Sequence, residues 1–120
     1  MTALATATVL FVALLHLFFL VLEMFLWTKP YGRRVFGNSP EQAQSSAKLA
    51  ANQGLYNGFL AAGLIWGAMS GPAGRPVEVF FLGCVIVAGV FGAMTAKRSI
   101  LWFQALPGAV ALALVLFSRP

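Results

Sequence analysis

Charged residues are scarce in this chain. They make up 9% of its 120 residues, whereas hydrophobic residues make up 60% and the mean hydropathy is +0.86. Because a soluble domain carries roughly a quarter charged residues, this composition excludes an ordinary soluble domain and indicates an integral membrane protein. The net charge of +5 comes from basic residues that lie between apolar runs. That pattern is typical of membrane topology signals, not of nucleic-acid binding.

Cysteine and N-terminal basic residues are nearly absent. Cys84 is the only cysteine, so an intrachain disulfide is excluded, and its position in an apolar run favours a packing role. No lysine or arginine precedes Lys29, and the first apolar run is too long for the core of a signal peptide. We therefore expect this run to be a retained membrane span.

Catalytic and metal-binding motifs are missing as well. The sequence has no nucleophile elbow, no H-E-x-x-H, no phosphate-binding glycine loop and no C-x-x-C. One histidine and one glutamate within the first apolar run are too few for a metal site on their own. We therefore predict no metal site, and the cofactor, if there is one, is unknown.

Four apolar runs predict an all-α integral membrane protein, an antiparallel four-helix transmembrane bundle that forms one domain over residues 1–120. The predicted spans are about 3–27, 47–69, 77–96 and 100–117. Ser39-Pro40-Glu41-Gln42 resembles a capping box, which predicts that the second helix begins there, outside the membrane. Pro30, Gly32 and Gly37 predict a non-helical connection before it.

Basic residues are distributed unequally between the two predicted sides of the bundle. The links after spans one and three, with the adjoining Lys48, carry six lysines and arginines. The other side carries two, Arg75 and Arg119. Because cytoplasmic loops carry an excess of basic residues, we expect both termini to lie on the non-cytoplasmic side.

The second span combines three faces. Gly54 and Gly58 form a G-x-x-x-G pair, which predicts close contact with another helix. The residues expected to face lipid are Leu55, Phe59, Ala62 and Trp66. The polar residues are Asn52, Gln53, Tyr56 and Asn57. Since polar groups in hydrocarbon need partners, we expect this polar face to point inward at other helices.

Polar residues of the other spans lie at matching depths. His16 and Glu23 share one face of the first span, and Gln104 lies near the start of the fourth. Counted from the cytoplasmic ends, Glu23, residues 52–53 and Gln104 lie about 6–8 Å deep, and His16 and Asn57 about 13–16 Å. This match predicts a binding pocket that opens to the cytoplasm, without an assigned catalytic residue. Its residues would be Glu23, His16, Asn52, Gln53, Tyr56, Asn57 and Gln104.

The segments HLFFLVLEMFLWT (His16 to Thr28) and LAANQGLYNGFLAAGLIWG (Leu49 to Gly67) resemble the signature stretches of the DUF1304 family. The likeness covers nearly the whole chain. It implies a small four-span protein of the bacterial inner membrane. The family has no assigned function, so the resemblance brings no catalytic residues with it.

Three functions are compatible with the predicted pocket. The leading hypothesis is binding or transport of a small molecule with Glu23 as the proton-responsive group, in a homodimer formed through small-residue stripes such as Ala88, Gly92 and Ala96. The first alternative is a membrane-embedded isomerase or hydrolase that acts on a lipid-like substrate. The second is a structural subunit whose polar layer only holds the helices in register. Glu23 could instead pair with Lys48 or Arg33.

Overall fold

The computed structural model describes residues 2–118, and this part of the chain is all-α. Its helices are α1 (Ala3–Met24), α2 (Pro30–Phe36), α3 (Pro40–Met69), α4 (Arg75–Thr95) and α5 (Leu106–Phe117). A 3-10 turn over Gly71–Gly74 joins α3 to α4, and a π-helical turn over Leu101–Ala105 leads into α5. No strand occurs within residues 2–118. The all-α prediction is confirmed.

Among residues 2–118, two helical segments are long and apolar enough to cross a membrane. They are Ala3–Met24, which is α1, and Gly71–Thr95, which is α4 with the turn before it. Leu101–Phe117 is a shorter apolar helix. The 30 residues of α3 reach about 45 Å, but the polar residues of its first half make it less apolar than α1 and α4.

The start of α3 is set by the predicted capping box. The backbone N–H of Gln42 donates to Ser39 Oγ at 3.1 Å, and the backbone N–H of Ser39 donates to Gln42 Oε1 at 2.8 Å. Two donors at the helix end, which lack partners within the helix, are satisfied in this way. The sequence prediction for the start of this helix is confirmed.

The prediction of a non-helical connection before α3 is wrong, because Pro30–Phe36 forms α2. Proline stands in the first turn of this helix, where the backbone N–H that it lacks would have no partner in the helix anyway. Gly37 ends the helix with φ +69°, the left-handed conformation typical of a C-terminal glycine. These two residues therefore bound a short helix and do not prevent one.

The predicted fourth span consists of two segments. Pro107 lacks the backbone N–H that would continue an α-helical ladder, and α5 carries it in its first turn. Immediately before α5, the N–H of Leu106 bonds to the carbonyl of Leu101, five residues back. A single π-helical turn thus leads into the proline-containing start of α5.

The chain forms two compact units. The central unit is Leu15–Phe59, and the terminal unit combines residues 1–14 with residues 60–120. In the terminal unit, α4 packs against α5 and the π-helical turn. The buried apolar residues of its core are Ala5, Val9, Val12, Ala13, Ala61, Leu64, Leu82, Val85, Ala111 and Val115.

Glycines allow close backbone approach within the terminal unit. A Cβ atom added to Gly89 would lie 2.6 Å from the backbone nitrogen of Ala105 in the π-helical turn. A Cβ added to Gly83, on the same helix, would meet no atom within 4 Å. The two positions therefore differ in space although they share a helix and a residue type.

We predict that Gly89→Ala and Gly83→Ala have opposite effects on stability. Gly89→Ala forces the π-helical turn away from α4 and should cost about 1–3 kcal/mol of unfolding free energy. Gly83→Ala removes backbone entropy from the unfolded chain without a clash and should add up to about 1 kcal/mol. Unfolding of the purified protein in mixed detergent micelles measures both values. Equal effects at the two positions would contradict this packing.

Candidate functional site

Glu23 and Asn57 meet inside the central unit. The Glu23 side chain is 9% exposed, and one of its carboxylate oxygens, Oε1, accepts a hydrogen bond from Asn57 Nδ2 at 2.5 Å. Glu23 lies in the last turn of α1, and Asn57 lies in the middle of α3. The partner of Glu23 is thus the amide of Asn57. The alternative from the sequence was a pair with a basic residue, Lys48 or Arg33.

The predicted G-x-x-x-G pair brings these two side chains together. A Cβ on Gly54 would lie 2.6 Å from Met24 Cγ and 3.1 Å from Glu23 Cβ, and a Cβ on Gly58 would lie 2.8 Å from Leu20 Cδ1. The end of α1 therefore rests directly on the glycine surface of α3. The predicted close contact of this pair with another helix is confirmed.

The other polar residues of α3 do not share the burial of Asn57. Asn52, Gln53 and Tyr56 are exposed, with 55% of the Tyr56 side chain accessible. We expected the whole polar face to point inward, and that expectation is wrong for these three residues. The physical reason is geometric, because the contact with α1 runs along Gly54 and Gly58 and covers only the adjoining part of the polar face. A polar exposed surface therefore adjoins the buried Glu23 carboxylate on the N-terminal side of Asn57.

His16 and Gln104 occupy different environments. His16 is fully buried in the central unit, where its ring packs edge-on against Phe19 with centroids 5.3 Å apart. Gln104 belongs to the terminal unit and is half-buried in the π-helical turn. The contribution of both residues to a binding site remains a prediction from the sequence.

A hydrogen-bond contact also ties the segment that follows α1 to α3. The indole N–H of Trp27 donates to Ser46 Oγ at 3.0 Å, and its ring lies 4.7 Å from that of Phe36. These contacts hold Trp27 within the central unit. Tyr31, Trp66 and Trp102, by contrast, are exposed.

The Glu23–Asn57 pair has the chemistry of a polar binding site. A carboxylate accepts hydrogen bonds and positive charge, and an amide both donates and accepts. Residues 2–118 contain no group of three or more histidine, cysteine, aspartate or glutamate side chains close enough to hold a metal ion. The pair therefore suits a proton or a small molecule that offers hydrogen-bond donors.

Glu78 is a buried acid that the sequence analysis did not single out. It lies in the first turn of α4, its side chain is 0% exposed, and neither carboxyl oxygen has a hydrogen-bond partner within residues 2–118. A signal was present in the sequence, since Glu78 is one of only three acidic residues and follows directly on Val77, the predicted start of a span.

We predict that the Glu23–Asn57 hydrogen bond stabilises the fold measurably. Asn57→Leu should lower the unfolding free energy by about 1 kcal/mol, since interhelical hydrogen bonds contribute about 0.6–1.7 kcal/mol in membranes and more when one partner is charged. Asn52→Leu is the matched control because this asparagine is exposed on the same helix. A double-mutant cycle with Glu23→Met, which removes the acceptor oxygen, should show coupling for residue 57 and none for residue 52. Equal coupling at both positions would refute the contact.

Comparison with known proteins places the chain in a family. It matches DUF1304, a family described as protein of unknown function, over residues 10–116. It is also 31% identical over 117 residues to the uncharacterized protein YpaA of Lactococcus lactis subsp. lactis (strain IL1403), an alignment that covers 96% of this chain and 97% of that protein. No solved structure matches the chain significantly. The protein belongs to the DUF1304 family.

Proposed function

We propose that this chain is an integral inner-membrane protein, a transmembrane four-helix bundle, that binds or transports a small polar molecule at Glu23 and Asn57. The carboxylate would accept a proton or a donor group of the ligand, and the amide would orient it. The observation that carries this proposal is the buried Glu23 carboxylate, which bonds Asn57 beside the exposed polar residues of α3.

Exposed apolar side chains support the membrane part of the proposal. Phe80 and Phe91 on α4 are each 65% exposed, and Trp102 and Phe117 are 62% and 86% exposed. Large apolar surfaces of this kind are unfavourable in water and favourable in lipid. The two long apolar segments, α1 and Gly71–Thr95, add to this argument. In the proposed bundle, the second half of α3 and the segment Leu101–Phe117 are the other two spans.

The distribution of basic residues supports the proposed orientation. Lys29, Arg34 and Lys48 of the central unit and Lys97 and Arg98 after α4 are all exposed. They would lie on the cytoplasmic side, with both termini on the opposite side. Arg119, which we counted on that opposite side, lies outside the described residues.

We predict that single cysteines report this orientation. Because Cys84 is the only cysteine, Cys84→Ala gives a cysteine-free background. Gln44→Cys, in the first half of α3, should react with a membrane-impermeant maleimide only after spheroplasts are lysed. Ala73→Cys, in the turn before α4, should react in intact spheroplasts. Both positions are exposed, which makes them matched probes. The reverse pattern, or labelling of both from one side, would contradict the proposed topology.

Proton movement tests the role assigned to Glu23. We expect proteoliposomes with the wild-type protein to acidify faster than empty vesicles under an imposed proton gradient, as measured with an enclosed pH-sensitive dye. Glu23→Gln should reduce the added flux at least tenfold, because an amide side chain cannot carry a proton at this position. Glu41→Gln, at an exposed acidic residue in the first turn of α3, should leave it unchanged.

The same protein preparations separate binding from transport. Native mass spectrometry measures the subunit mass and detects any molecule that co-purifies with the protein. A molecule bound at Glu23 should co-purify with the wild-type protein and with Glu41→Gln but not with Glu23→Gln. A bound molecule without proton flux would support binding and contradict transport. If both proton flux and a bound molecule are absent, the result contradicts the proposal and favours a structural role for the polar pair.

A purely structural role is the second candidate, and one contact favours it. The Glu23–Asn57 hydrogen bond joins the two helices at the same place as the Gly54 contact, where it would hold their register. The proposed homodimer must use another surface, since Gly54 is buried against α1. Ala88 and Ala96 are exposed and remain available for such a contact.

A further inference from the structure

The terminal unit contains a carboxyl group that has no assigned role. Glu78 is fully buried, yet neither of its oxygens is hydrogen-bonded within residues 2–118. Burial of an ionised carboxylate without a partner is strongly unfavourable. A leucine or a glutamine could fill the same volume, so packing alone gives no reason for an acid here.

The stem of Glu78 packs against the backbone at the end of α3. A Cβ on Gly67 of α3 would lie 2.6 Å from Glu78 Cγ and 3.2 Å from the Glu78 backbone nitrogen. A Cβ on Gly74 would lie 1.9 Å from the carbonyl oxygen of Gly67. The end of α3 and the turn after it therefore pack closely on each other, and Gly67 leaves the space that the Glu78 side chain occupies.

No neighbouring cation neutralises Glu78 among the described residues. The other charged residues of the terminal unit within residues 2–118 are Arg75, Lys97 and Arg98. Arg75 Nη2 donates to the carbonyl oxygen of Leu116 at 2.8 Å. Lys97 and Arg98 follow the opposite end of α4, about 30 Å along the helix axis from Glu78. The segments of α1, α3 and α5 in this unit carry no charged side chain, and the terminal amino group lies outside the described residues.

We propose that Glu78 is a proton-binding site, whose carboxyl group holds an exchangeable proton when the protein is folded. A single carboxyl balances one positive charge, whereas Ca2+ and Mg2+ take six or more oxygen ligands. A proton needs no coordination space, which suits a fully buried side chain that packs against Gly67. This inference is independent of the function proposed for Glu23, because it uses different residues in the other unit.

Infrared spectroscopy tests the proposal on the full chain in lipid vesicles. A protonated carboxyl has a C=O stretching band that an ionised carboxylate lacks. Glu23, Glu41 and Glu78 are the only acidic side chains, so three single Glu→Gln variants assign every side-chain band. At neutral pH we expect one such band that is lost in Glu78→Gln, retained in Glu41→Gln and Glu23→Gln, and shifted when water is replaced by D2O.

Two results would overturn the proposal. The first is a spectrum in which Glu78→Gln removes only a carboxylate band, which would place an unseen cation beside the group. The second is loss of the acid band when sodium chloride replaces choline chloride, which would identify an alkali-metal site. The amide bands of each variant verify its helical fold. Loss of proton flux in Glu23→Gln with the Glu78 band intact would show that the two sites operate separately.

Discussion

The close approach of α1 to the glycine surface of α3 is the constraint on which the central unit depends. Gly54 and Gly58 leave no room for side chains opposite Leu20, Glu23 and Met24. Two backbones can then pack at a distance that lets the short amide of Asn57 reach the Glu23 carboxylate. The polar contact is thus a consequence of the steric one, because a larger residue at position 54 would separate the two partners.

The two buried glutamates share one packing arrangement but differ in their partners. In each unit, the stem of the acid lies against a glycine of α3, Gly54 for Glu23 and Gly67 for Glu78. Three residues after Gly54 stands Asn57, whose amide donates to the carboxylate. Three residues after Gly67 stands Ser70, whose hydroxyl donates to the carbonyl oxygen of Trp66 instead. A carboxylate without a donor must be neutralised in another way.

Membership of the DUF1304 family restricts the sequence but assigns no reaction, since the family is described as of unknown function. The physical chemistry of the chain therefore has to supply the hypotheses. In an apolar protein with three acidic residues, two of which are buried, carboxyl groups are the clearest candidates for function. The third, Glu41, is exposed in the first turn of α3, where a negative charge favours the helix dipole.

Local patterns in the sequence determined the all-α class, the capping box at Ser39 and the glycine contact of α3, because each depends on residues within one or two helical turns. Tertiary structure decided which polar groups meet: Asn57 is turned to Glu23, whereas Asn52 and Gln53 are exposed. It also decided the burial of Glu78 and the helical state of Pro30–Phe36. Helical periodicity gives the direction of a side chain around its own axis, but it contains no information on which neighbouring helix covers that direction.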